Sequence, residues 1–182
     1  MRLKSIAIYG VLVVLGLAGG FASALYLIPF KATDLLFARF LQRGSVVNQM
    51  SQPIVRNAKT NSVPQDNADT LTRSAIIDLS KGPLVFQADV PANAVYWSIS
   101  LFAHNTDTFF VANDQKVGPG PYSLLIKTRA QATPTTPVDD IAISPTRKAF
   151  LIIRYTMPDR NNPTIVAAMR EQILKESIGP AT

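Results

Sequence analysis

The stretch Ala94–His104, AVYWSISLFAH, decides the fold class. Val95, Trp97, Ile99 and Leu101 alternate with Tyr96, Ser98, Ser100 and Phe102, the period of a β-strand. Both faces are fairly apolar, which predicts a central strand with Trp97 in the core. The same period recurs on either side. Arg73–Leu79, Leu84–Val90 (after a Lys81-Gly82-Pro83 turn), Thr108–Ala112, Tyr122–Arg129, Ile141–Ser144 and Lys148–Thr156 read as further strands. Asn113-Asp114-Gln115-Lys116 starts a loop into Gly118-Pro119-Gly120-Pro121, and Ala130–Pro137 is another loop. Short strands separated by turn signals predict a mainly β domain, an antiparallel sandwich or jelly roll. A C-terminal helix follows, with Asn162 as N-cap and Pro163 in the first helical position. Its stripe of Ile165, Ala168, Met169, Gln172 and Ile173 is expected to pack on the sheet. Glu171 and Lys175 would pair along the helix, and Gly179-Pro180 would end it.

Upstream of the strands the chain is different. Ser5–Phe30 carries no charge. As a helix it would be roughly 39 Å long, enough to span a bilayer that needs about 20 residues. A cleaved signal peptide is the competing reading. Arg2 and Lys4 would be its n-region, Ile6–Ala18 its apolar region and Ala22-Ser23-Ala24 its cleavage site. The apolar run continues past that site through Leu25, Tyr26, Leu27 and Ile28, which favours a retained transmembrane anchor. Arg2 and Lys4 favour a cytoplasmic N-terminus, although Lys31, Arg39 and Arg43 pull the other way. The resulting expectation is a single-pass protein of a bacterial inner membrane, with its main domain in the periplasm. Lys31–Arg43 reads as a short helix with a broad apolar face and Thr33 or Asp34 as N-cap, ended by Gly44; it either continues the anchor along the membrane interface or packs on the core. Gly44–Asp66 reads as a polar connector with at most short structure. The expected division is an anchor over 1–30, a juxtamembrane helix and connector over 31–66, and a β-rich domain over 67–182.

Composition closes off several classes of function. The chain has 182 residues, 47% apolar and 16% charged, which fits one folded domain beside the anchor. It has no cysteine, which excludes disulfides, thiolate metal sites and thiol nucleophiles. Its one histidine, His104, excludes a multi-histidine metal centre within one chain. The net charge is +6, and its basic residues, among them Arg56, Arg73, Lys81, Lys116, Arg129 and Arg154, are scattered along the sequence. That pattern suits a solvated surface beside an anionic membrane and no nucleic acid. No nucleophile elbow, P-loop, dinucleotide fingerprint or metalloprotease motif is present, and no cofactor is expected.

The remaining chemistry is a small cluster. His104, Asn105, Asp107, Asn113 and Asp114 lie near two strand ends. Converging, His104 with Asp107 or Asp114 could form a general base; Asp107, Asn113 and Asp114 could offer oxygens to a cation such as calcium. The plainer reading is that Asn and Asp populate turns for backbone reasons, and no metal site is assigned. Asn67 and Asp69 would likewise shape an Asx-type turn before the first strand, and Asp78 another at its end.

Asn67-Ala68-Asp69-Thr70-Leu71, then Asp78-Leu79, Gly82-Pro83 and Tyr96-Trp97, resembles the bacterial domain-of-unknown-function family 1254. Gly118–Leu124 resembles that family's Gly-rich stretch leading into a Tyr-containing strand. Arg154–Pro158 and the final helix look like its short, membrane-anchored members. The resemblance covers about Val63–Ile178. It implies a β sandwich or jelly roll, associated with a sister family numbered 1214 that would be a separate protein partner here. It implies no reaction, and it leaves Asn67, Asp69 and Tyr96 as weak candidates for ligand binding. Two functions remain open: a non-enzymatic envelope protein that binds a partner or an apolar ligand, and a hydrolase-like enzyme using His104, Asp107 and Asp114.

Overall fold

A computed structural model describes residues 2–55, 69–92 and 95–181, with residues 2–7 described as backbone only. The chain runs α1 (Arg2–Gln42), β1 (Ile54–Val55), β2 (Thr70–Asp78), β3 (Leu84–Val90), β4 (Tyr96–Ala103), β5 (Thr108–Asn113), α2 (Asp114–Val117), β6 (Gly120–Thr128), β7 (Asp140–Ser144), β8 (Lys148–Thr156), α3 (Pro163–Leu174) and β9 (Ser177–Pro180). The strands form two sheets, in the orders β1-β2-β8-β4-β5 and β7-β6-β3-β9. All pairs are antiparallel except β6 with β7.

Alternation sets the core. Leu71, Ala75 and Ile77 of β2, Trp97, Ile99 and Leu101 of β4, and Ala149, Leu151, Ile153 and Tyr155 of β8 point inward from the first sheet. They meet Leu84 and Phe86 of β3 and Tyr122, Leu124 and Ile126 of β6. The antiparallel, mainly β reading therefore holds, and Trp97 is fully buried on a strand flanked on both sides. Asn162 caps α3 as expected, and Met169 and Ile173 enter the same core.

Three local expectations change, and a fourth gains detail. α1 is one unbroken helix through Pro29, so neither Thr33 nor Asp34 is an N-cap. Thr33 instead donates its hydroxyl back to the Pro29 carbonyl at 3.0 Å. The expected loop from Asn113 is instead the short helix α2, Asp114–Val117, capped by the Asn113 side chain, which accepts from Lys116 N at 3.1 Å. α3 ends at Leu174, before Gly179-Pro180, because those residues form β9 and pair with Val85 and Leu84. A proline is tolerated in an edge strand, where no neighbour needs its missing N–H. Finally, part of the expected connector belongs to the sheet. Asn48 N donates to Ile76 O, and the Asn48 amide pairs with the Asp78 N–H and carbonyl, at 2.7–2.9 Å. Ser51 and β1 then continue along the edge of β2. Residues 56–68 of that connector lie outside the described residues.

The outer face of the same sheet carries a second apolar cluster. Phe37 and Phe40 of α1 pack on Ile76, Phe102, Phe150 and Ile152. Phe37 lies 6.1 Å and Phe40 5.2 Å from Phe150, ring centre to ring centre.

One charged residue sits in the inward row of β2. Arg73 is 5% exposed and donates to Ser51 O, to Ile173 O and to both the carbonyl and the carboxylate of Glu176. Tyr155 donates its hydroxyl to the other Glu176 oxygen. This buried network joins the end of α3 to the centre of the first sheet, and losing one partner of such a pair costs about 3–5 kcal/mol. Burial pushes the Glu176 carboxyl up from its ordinary 4.5 to about 7, against the pull of Tyr155 and Arg73. A raised folded-state value means that this group's contribution is fully present below the unfolded value. It is lost as pH rises through the folded one. Denaturant unfolding of the wild type should therefore show stability falling between about pH 5 and about pH 8. Glu176→Gln, which cannot ionise, should flatten that fall. An equal fall in both proteins would remove Glu176 as its source.

Candidate functional site

The lone imidazole sits where β4 ends. His104 N donates to Thr146 Oγ1 at 2.9 Å, which fixes the backbone. The ring reaches across to α1, with Nε2 2.8 Å from Asp34 Oδ1. Phe30 meets the ring edge-on at 5.2 Å and Phe37 stacks on it at 6.1 Å. Lys148 Nζ lies 3.7 Å from the same Asp34 oxygen. His104 is thus held between two aromatic rings and a carboxylate of the long helix. It works as a buttress between α1 and the sandwich.

The two carboxylates of the expected cluster are engaged elsewhere. Asp107 accepts from the Asn105 amide at 2.6 Å, and its carbonyl accepts from Ala103 N at 2.8 Å, closing the β4–β5 turn. Asp114 accepts from Trp97 N at 3.2 Å, at the far end of β4. Trp97 and His104 are seven positions apart, about 23 Å along an extended strand. His104 and Asp107 therefore share one turn, and Asp114 stands at the opposite end of the hairpin. Asn113 is taken by its capping role. Among the described residues, no group of three His, Asp or Glu side chains is placed to hold a metal ion.

Of the turn residues, Asn67 lies outside the described residues. Asp69 accepts from Met157 N through its carbonyl at 3.0 Å, and its carboxylate is 3.5 Å from Arg160. Tyr96 opens β4 on the Asp114 side and is 40% exposed. Asp78 makes the Asx-type turn, accepting from Ser80 N at 2.9 Å, and hydrogen bonding from Ser80 holds its carboxyl below the usual range. A second polar group fastens the start of β7. Asp140 accepts from Tyr122 and Lys116 at 3.0 and 2.9 Å, and burial pushes the Tyr122 hydroxyl far up. Asp139 accepts from both the N–H and the hydroxyl of Ser123, which lowers its carboxyl.

Two clefts indent the surface of the described residues. The first, about 580 Å³, lies beside the end of α1 and is lined by Leu36, Arg39, Phe40, Arg43, Val46 and Met50. The second, about 490 Å³, lies between Thr128, Arg129, Pro145 and Arg147. Both combine apolar surface with guanidinium groups, a lining that suits an amphipathic or anionic binding partner.

Reading the sequence as separate elements missed three features. Asp34 is one carboxylate in an apolar helix, which signals a partner across an interface. Arg73 falls in the same alternating row as Ala75 and Ile77, which signals a buried counter-charge. Glu176, which supplies it, had no local signal at all.

Comparison places this arrangement among known proteins. The chain covers 36% of the VPA0106 protein from Vibrio parahaemolyticus, whose crystal structure aligns with 86% of this chain at a TM-score of 0.69 and 14% identity. An uncharacterized protein from Burkholderia cenocepacia aligns with 60% of this chain, at 12% identity and a TM-score of 0.46; the chain covers 31% of it. The first likeness shows a shared fold, and this chain spans about a third of the length of either protein. No curated protein matches the sequence. The family model described as "Protein of unknown function (DUF1254)" matches residues 47–176, well over half of the chain. With that match and the shared sandwich, the chain belongs to this DUF1254 family.

Proposed function

We propose that this protein is a membrane-tethered binding component of the bacterial cell envelope, not an envelope hydrolase. The observation that carries the reading is α1. Its segment from Ile8 is long and apolar, with a mean hydropathy of 2.3 and no part of its most apolar window buried against the protein. The same helix then continues without a break onto the outer face of a sheet. A stretch built for lipid and a stretch built for protein are one rigid rod. Arg2 and Lys4 favour a cytoplasmic N-terminus, which leaves the sandwich in the periplasm of an inner-membrane protein.

Binding is favoured over catalysis because each candidate acid or base is spent on structure. The cleft beside Arg39 and Arg43 opens among the exposed Leu36, Val46 and Ile54, and it is the proposed seat of a companion protein held in the same membrane. A member of the sister family 1214 is the candidate that the family resemblance implies. That the matched VPA0106 protein contains much further chain is in keeping with a domain that works beside another.

Alkaline carbonate extraction of membranes should leave the protein in the pellet, at the full mass of the 182-residue chain. A soluble species beginning near residue 25 would overturn the anchor. Asp107→Ala and Asp114→Ala proteins should replace the wild type in any envelope assay in which a deletion strain fails. Loss of that activity at normal protein level and stability would restore the enzyme reading.

A further inference from the structure

We propose that the helix-side end of the sandwich is a binding face for anionic phospholipid headgroups of the bilayer that α1 spans. The proposal rests on reading α1 as the anchor. The contacts along α1 identify the end in question. Phe30, the last residue of the uncharged run, touches His104; one turn later Asp34 touches His104 and Lys148; then Phe37 and Phe40 reach Phe150. The sandwich end that carries His104 and Lys148 is therefore the one beside the apolar run.

Four turns meet there and are stitched together. Leu79 N donates to Arg147 O at 2.8 Å, the Gln131 amide donates to Leu79 O at 2.6 Å, and His104 N donates to Thr146 Oγ1 at 2.9 Å. The turns present Lys81, Arg129, Arg147 and Lys148, all exposed, and Lys31 on the helix adds a fifth cation. Among the described residues, the carboxylates at this end are Asp34, Asp78 and Asp107, engaged by His104, Ser80 and Asn105 respectively. Among the described residues, the opposite end carries Asp69, Asp89, Asp114, Asp140 and Asp159 on the acidic side and Lys116, Arg154 and Arg160 on the basic side. Cations that are scattered in the sequence are thus gathered by the fold at one pole.

Distance puts that pole within reach of lipid. Lys31 is the first charge after the apolar run, and Asp34 is only about 4.5 Å further along the axis. A headgroup layer is about 5–8 Å deep on each side of the hydrocarbon, and screening at physiological salt acts over about 8 Å. Arg129 and Arg147 flank the second cleft, and paired guanidinium groups suit a phosphodiester. Each Lys or Arg at an anionic surface strengthens binding about fivefold.

The test uses the full-length protein in lipid nanodiscs. Because the chain has no cysteine, Ala130→Cys supplies a unique site for an environment-sensitive fluorophore beside Arg129. In discs containing anionic phosphatidylglycerol, the fluorophore should be shielded from the neutral quencher acrylamide. That shielding should be lost in purely zwitterionic discs and at about 1 M salt, where screening shortens to about 3 Å. It should also be lost in Lys81→Gln/Arg129→Gln/Arg147→Gln protein, with unfolding midpoint and disc incorporation unchanged. Shielding that ignores lipid charge and salt, or that needs a second protein, would overturn the proposal. Failure to incorporate into discs would instead overturn the anchor reading.

Discussion

The structure depends on how the last turns of α1 are held against the outer face of the five-stranded sheet. A sheet in a two-layer sandwich normally leaves that face to water. Here Ile76, Phe102, Phe150 and Ile152 make it apolar, and Phe37 and Phe40 cover it. Asp34, His104 and Lys148 add a polar clasp at the edge of the same contact. Burying two aromatic side chains contributes a few kcal/mol. The geometric consequence matters more, because it turns a flexible tether into a continuous strut and fixes which end of the sandwich faces the apolar segment.

The fold was largely legible because alternation is strong wherever a strand is flanked on both sides. Lys148–Thr156 and Ala94–His104 announce themselves, and the structure places both inside a five-stranded sheet. The edges were not legible. β1 is two residues long, too short for any period, and β9 is built from a Gly-Pro that reads locally as a helix stop. Asn48 pairs with the edge of β2 through its side chain, a contact without any sequence signature. Thr33 and Asp34 look like caps only if the helix begins at residue 31; the alternative expectation, that it continues the anchor, is the one the unbroken α1 matches.

The candidate site was legible only as an inventory. His104 stood out because it is the one histidine, and its partner was sought among the nearest acids in sequence. The true partner, Asp34, lies 70 positions away, brought over by the packing of Phe37. The same logic hid the polarity of the sandwich. Lys81, Arg129 and Arg147 are far apart in the chain, and the antiparallel β3–β6 pair together with the parallel β6–β7 pair brings their turns to one pole. Charge scatter along a β sequence therefore says little about charge scatter in space.

The account stands or falls on α1 being both inserted in lipid and clasped to the sandwich. The cysteine-free sequence allows this to be measured in native membranes by joining an Asp34→Cys/His104→Cys pair with a short homobifunctional maleimide. The account requires an internal cross-link in a carbonate-resistant, full-length chain. It also requires that Tyr96→Cys, at the opposite end of β4 from His104, fail to link to Asp34→Cys. A full-length membrane protein in which Asp34 and His104 never cross-link would contradict it.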